Sequence, residues 1–149
     1  MTYTEIQDIA DKVVALIGAQ SFSQTISVAR DWKPVMNMED TEDGYVVRVV
    51  PAGLDRTLVM RPNRFQHDYQ IHIGILHNLD STDEDAQIDA CHTLVLEILE
   101  YLDGLVLTSP MDSIKWRDNQ VPILVDLEHL RTSRRFFSVV VATFTDVTG

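Results

Sequence analysis

The chain has one cysteine, Cys91, among 149 residues, so it cannot form a disulfide within itself. A lone thiol predicts a reducing compartment such as the cytosol. Long apolar runs are missing as well. The longest stretch without a polar side chain, Val13 to Ala19, falls far short of the ~20 residues that span a bilayer. The opening residues MTYTEIQDIADK hold no basic segment leading into an apolar one, so no cleaved signal peptide is expected. Positive charge is scarce too: 12 Lys and Arg face 23 Asp and Glu, for a formal charge of −11. An acidic surface opposes the approach of phosphates, which makes duplex binding an unlikely purpose. Lysine is the scarcer cation, present only as Lys12, Lys33 and Lys115. The arginine that replaces it has a planar fork suited to interfacial ion pairs, which favours protein–protein contacts. The six glycines are scattered. No phosphate-cradling glycine loop, nucleophile-elbow serine or Cys-x-x-Cys pair is present.

What remains is an ordinary globular composition, with 45% hydrophobic and 23% charged residues. A chain of this length buries roughly 68–70% of its unfolded surface and needs no metal or disulfide to do so. No compositional break divides it, so a single domain over residues 1–149 is expected.

Periodicity supplies the elements. Thr4 and Gln7 suggest a capping box for a helix running to Ile17, with Ile6, Ile9, Ala10, Val13, Leu16 and Ile17 on one face and Gly18 as its stop. A first strand is expected over Gln24–Asp31, and a second over Tyr45–Val50, closed by Pro51-Ala52-Gly53. Tyr69, Ile71, Ile73 and Ile75 alternate with Gln70, His72 and Gly74, as in a strand with one buried face. A second helix opens at Ser81–Asp85 and carries Ile88, Cys91, Leu94, Val95, Ile98, Leu99 and Leu102 at spacings of three and four, with Asp103-Gly104 as its exit. Short strands are expected over Ser113–Arg117 and Pro122–Leu127, then a long one over Arg135–Thr145. This order predicts an α+β fold: one mostly antiparallel or mixed sheet packed against two main helices, with an extended loop or hairpin arm.

Candidate chemistry is thin. His67, His72 and His77 are spaced by five, which puts neighbours on opposite faces of a strand and makes a shared ion awkward; exposed strand histidines are expected. Cys91 and His92 are adjacent, but Cys91 falls in the apolar stripe, where an inert buried thiol is expected. The acidic run Asp80–Asp85 lacks the spaced ligands and glycine of a calcium loop and reads as a helix cap. Neither a cofactor nor a metal is expected. If the chain were an enzyme with a site between subunits, His72, Asp68 and Tyr69 would be its first suspects. A ligand-binding module with a pocket between helix and sheet is a third possibility.

Two features point to surfaces instead. The connection from Asp55 to Phe65 gathers Arg56, Arg61 and Arg64 in an acidic protein, and reads either as a solvated loop or as an arm toward a neighbour. The last strand is apolar on both faces, with Phe136, Val140 and Phe144 opposite Phe137, Val139 and Val141. It is either central to the sheet or covered by another subunit.

The full order of parts resembles the tail terminator (tail-completion) proteins of long-tailed bacteriophages. The likeness runs through the amphipathic start Thr4–Ile17, the strand Tyr45–Val50 and the arginine-bearing connection ending at Arg64. It continues through His67-Asp68-Tyr69-Gln70-Ile71-His72-Ile73, the helix Asp83–Leu102 and the closing strand Phe136–Phe144. The resemblance implies a homo-oligomeric ring, usually a hexamer, seated on the last tail-tube ring in the virion neck after assembly in the host cytoplasm. Such a ring stops tube growth, docks the head-completion (stopper) protein and lets genomic DNA pass without specific binding. A stopper or a tail-tube subunit is the alternative within that class. Interface residues are then expected at Arg56, Arg61, Arg64 and Phe65, with Arg134 and Arg135 in second rank.

Overall fold

The computed structural model describes residues 6–32, 44–60, 64–79, 84–107, 114–123 and 135–148. In chain order these form α1 (Ile6–Ala19), β1 (Ile26–Arg30), β2 (Tyr45–Met60), β3 (Arg64–Asn78), α2 (Glu84–Leu102), β4 (Val106–Leu107), β5 (Ile114–Ile123) and β6 (Arg135–Thr148). The strands make one mixed sheet in the order β1-β2-β3-β6-β5-β4. Among the described residues, only the β1–β2 pair is parallel and the four other pairings are antiparallel. The expected α+β class, with one sheet and two helices, is therefore the observed one.

Both helices lie on the same face. Ile9, Ala10, Val13 and Ile17 of α1 and Cys91, Leu94, Val95, Ile98 and Leu102 of α2 form one core with Val47, Val49, Ile71, Ile73, Ile75, Phe136, Val140 and Phe144. The register explains the assembly: Val47 faces Ile75, Val49 faces Ile73, and Ile73 faces Val140 across the next ladder, so every apolar alternate points one way. Each such side chain, fully buried, contributes about 1.5–3 kcal/mol relative to exposure. β6 lies between β3 and β5, which settles its two apolar faces as those of a central strand. Its second face joins Phe137 and Val139 to Val46, Val50 and Leu76 in a smaller cluster on the far side of the sheet. Among the described residues, no helix is long and apolar enough to cross a membrane.

Several boundaries differ from the sequence reading. β2 does not close at Pro51: it continues to Met60, with a register irregularity between Pro51 and Gly53. A bulge is where a strand tolerates proline, whose missing N–H costs no ladder bond there. Gly18 lies inside α1, which ends at Ala19, because the apolar face of the helix is still packed at Ile17. The described parts of the two short strands expected over Ser113–Arg117 and Pro122–Leu127 fall in one strand, β5, irregular between Trp116 and Asp118 and again between Gln120 and Ile123, where Pro122 falls; Ser113 and residues 124–127 lie outside the described residues. The two-residue β4 was too short for any periodicity to show. Gly104 has φ +74°, the left-handed turn expected after α2. Thr4 and the cap residues Ser81–Asp83 lie outside the described residues.

Candidate functional site

The three histidines of β3 have three separate environments. His67 and His77 share the helix-side face but lie ten residues, about 33 Å of strand, apart, and His72 faces the other way. His67 is not the exposed residue the sequence suggested. It is 5% exposed, and its Nδ1 lies 3.2 Å from Oδ1 of Asp146, its register partner on β6. Nothing in the sequence links two residues so far apart until the register is known. His77 stacks on Tyr45, with ring centres 4.1 Å apart, and its Nδ1 is 2.8 Å from the Gly44 carbonyl. His72 is half-buried, and desolvation lowers its pKa. No group of three metal-ligating side chains occurs among the described residues.

The suspected Asp68, Tyr69 and His72 do not converge. Asp68 and His72 lie on the far face of the sheet and Tyr69 on the helix side. Burial acts to raise the Asp68 pKa, but the Gln66 amide at 3.0 Å and the Arg117 guanidinium outweigh it and hold the carboxyl below its ordinary value. Such a carboxylate is an anchor rather than a base. Burial, aided by the Asp146 charge, pushes the Tyr69 hydroxyl up to about 12. Burial likewise pushes the Cys91 thiol up to about 12, as an inert core cysteine requires.

The described parts of the arginine-bearing segment, 55–60 and 64–65, are strand rather than loop. Arg56 belongs to β2 opposite His67, and Arg64 and Phe65 open β3 opposite Met60 and Leu58. Cross-strand partners share a face, so Leu54, Arg56 and Leu58 lie on the same side as Tyr69, His67 and Phe65. There the Arg56 guanidinium sits 3.7 Å over the centre of the Phe65 ring, a cation–π contact that holds the side chain in place. Leu54 is 55% exposed and Leu58 44%. Every residue from Leu54 to Leu58 is exposed, so neither face of this stretch of β2 is covered. Among the described residues, the other large exposed apolar side chains, Trp32, Leu96 and Val106, lie on separate parts of the chain. Leu54 and Leu58 were missed in the sequence because the strand was read as ending at Pro51, and the bulge after it shifts the phase of alternation, so that no simple period marks them.

Arg135 is not part of this surface. Arg135 is half-buried at the other end of the sheet, where its Nε donates to Asn78 Oδ1 at 2.9 Å. Arg61 and Arg134 lie outside the described residues. The site is thus the bare end of the paired β2 and β3 strands, an apolar strip with a stacked cation and, among the described residues, no convergent acid, base or nucleophile. Exposed apolar side chains beside a cation are the composition of a contact surface rather than of a catalytic pocket. Comparison of the sequence with protein-family models gives no match, and neither does comparison with curated proteins.

Proposed function

We propose that the chain is the subunit of a tail-terminator ring. The ring is a homo-oligomer, hexameric in the family the sequence resembles, that caps the tail tube of a long-tailed bacteriophage, halts its polymerisation and offers a docking face to the head-completion protein. The observation that carries this reading is the hairpin end from Leu54 to Phe65. It leaves the helix-backed core yet holds two exposed leucines and an arginine–aromatic pair on one face. A strand pair of that kind is an arm toward a neighbouring subunit. Heterologous contacts of this sort close into a ring when the rotation between copies does.

Two further facts support it. Three residues with chemical potential are held in structural contacts: His67 with Asp146, Asp68 with Arg117, Cys91 in the core. The reading is therefore one of binding. The net charge of −11 suits a channel for DNA, since a lumen lined by carboxylates repels phosphate and lets the genome slide.

The test is the mass of the purified protein alone and with isolated tail tubes. A single closed ring that binds tube ends and adds one layer is expected. Replacing Arg56, Arg61 and Arg64 together with glutamate should abolish the ring and leave the circular dichroism of the monomer unchanged. Growth into long polymers would mark a tube subunit instead. A monomer indifferent to tube ends would end the terminator reading.

A further inference from the structure

The helix side of the molecule carries a cleft of about 300 Å³ between the exit of α1 and the last turns of α2, lined by Gln20, Ser21, Phe22, Glu97, Glu100 and Tyr101. Phe22 and Tyr101 meet edge to face, with ring centres 6.0 Å apart, and form its apolar wall. Glu97 is fixed by the chain that leaves α1: its Oε2 accepts from the Ser23 backbone N–H at 3.0 Å, and its carboxylate also takes the Ser23 hydroxyl. Glu100 is exposed on the same side. An aromatic wall beside two carboxylates fits a cation that arrives with apolar company. The Leu54–Arg56–Leu58 strip with Phe65 has that composition.

Within one copy the two surfaces stand at opposite ends of the sheet. Arg30, at the far end of β1, pairs with Asp11 early in α1 at 3.3 Å, so α1 runs antiparallel to β1 and its exit lies near Ile26. Ile26 faces Tyr45, whose partner on β3 is His77, whereas Arg56 faces His67. Ten residues of β3, about 33 Å, separate those two levels. One molecule cannot readily fill its own cleft with its own hairpin, but copies arranged head to tail can. Opposite charge at opposite ends is what a heterologous, closing contact needs.

We infer that the Phe22–Glu97–Glu100–Tyr101 cleft of each copy receives the Arg56-bearing hairpin face of the next. The inference rests on the arm reading above and adds the surface on which the arm lands. The carboxylates take the guanidinium, and Phe22 and Tyr101 cover the leucines.

Charge reversal tests the contact from both sides. Arg56→Glu and Glu100→Arg both alter exposed side chains, so each variant should keep the wild-type circular dichroism, and the melting temperature of the dilute monomer. Glu97 is left intact because it holds Ser23. Each single change should weaken self-association by about tenfold or more, read by analytical ultracentrifugation. The double variant Arg56→Glu/Glu100→Arg, or an equimolar mixture of the two singles, should recover it. Loss with Arg56→Glu but not with Glu100→Arg would overturn the cleft and leave the arm standing. Loss in both singles without recovery in the double variant or the mixture would also reject the pairing. A wild-type protein that never self-associates would remove the arm and the cleft together.

Discussion

From Tyr45 to Val50, β2 has neighbours on both sides and is buried or half-buried at every position; from Leu54 to Leu58 the same strand is exposed at every position. The difference follows from what backs each half. The first half has β1 along its edge and α1 across one face, and its valines enter both apolar clusters. The second half lies beyond the last β1 pairing at Val49, and β3 alone is its hydrogen-bonded neighbour among the described residues. Beside it the stabilising contacts change character, from packed hydrocarbon to polar pairs: Gln66 with Asp68, Asp68 with Arg117, and His67 with Asp146. One strand therefore serves two tasks, anchoring a core and presenting a surface.

The sharpest way to break this comparison is to truncate one apolar side chain in the core that the first half joins and one in the bare half. Phe136 is 0% exposed in the helix-backed core, and Phe136→Ala should cost about 3–5 kcal/mol in urea unfolding. Leu58 is 44% exposed, and Leu58→Ala measured on the monomer should cost less than about 0.5 kcal/mol. Comparable losses from the two would mean that Leu58 is covered within one chain, and the arm would then be part of the core.

The half that anchors was readable in advance, and the half that presents was not. Ile71, Ile73 and Ile75 declared a buried face by simple alternation, and α2 declared its stripe by spacing of three and four. Both signals arise because burial selects residues with the period of the element. Where burial stops, so does the selection, and Asp55, Arg56 and Thr57 look like a loop although they pair residue by residue with Asp68, His67 and Gln66. Proline at 51 strengthened that misreading, because its effect on a strand depends on whether a bulge receives it. The arginines of the candidate site were legible as an oddity of charge, whereas Leu54 and Leu58 gain meaning only from register. The cleft at Glu97 and Glu100 was wholly hidden, since it depends on where the exit of α1 crosses α2.

A smaller contrast concerns backbone strain. Gly104 holds φ +74° in the tight exit from α2 toward β4, so although a Cβ there meets nothing, Gly104→Ala should destabilise by about 1–2 kcal/mol. Gly53, at the bulge that opens the bare half of β2, has no positive φ. A Cβ there would come within 3.2 Å of Gln70 Oε1, the tip of a side chain that can swing aside. Gly53→Ala should therefore change stability by only a few tenths of a kcal/mol. Chemical denaturation of both variants gives the pair of numbers, and a larger loss at Gly53 would mean that the bulge is held as rigidly as the helix exit.

The least effect, and the most local, is expected from pH. Asp68 has its pKa lowered below the ordinary 3.8, so its ionised form is favoured by folding. That contribution is fully present above 3.8 and is lost as pH falls through the lowered value. Asp146 has its pKa raised, first by burial and only partly offset by His67, so its contribution has the opposite sign: present below 3.8 and lost as pH rises through the raised value. His72, opposite Val50 at the margin of the anchored half, is lowered by burial and costs stability only as pH falls below 6.5 through its own lowered value. The two carboxylates oppose one another in the acid range. Asp68→Asn should therefore leave a protein whose sheet end firms up on acidification, and Asp146→Asn one that loosens more steeply. Because Arg117 is half exposed, the Asp68 part stays below about 1 kcal/mol. Amide hydrogen exchange followed through the acid range separates the halves: protection of Gln66–Tyr69 and Phe144–Asp146 should move with pH in opposite senses for the two variants, while protection of Val47, Val49 and Ile73 stays level. A uniform response along β3 would mean that the two halves unfold as one unit, and that the exposure of the hairpin end has no counterpart in its stability.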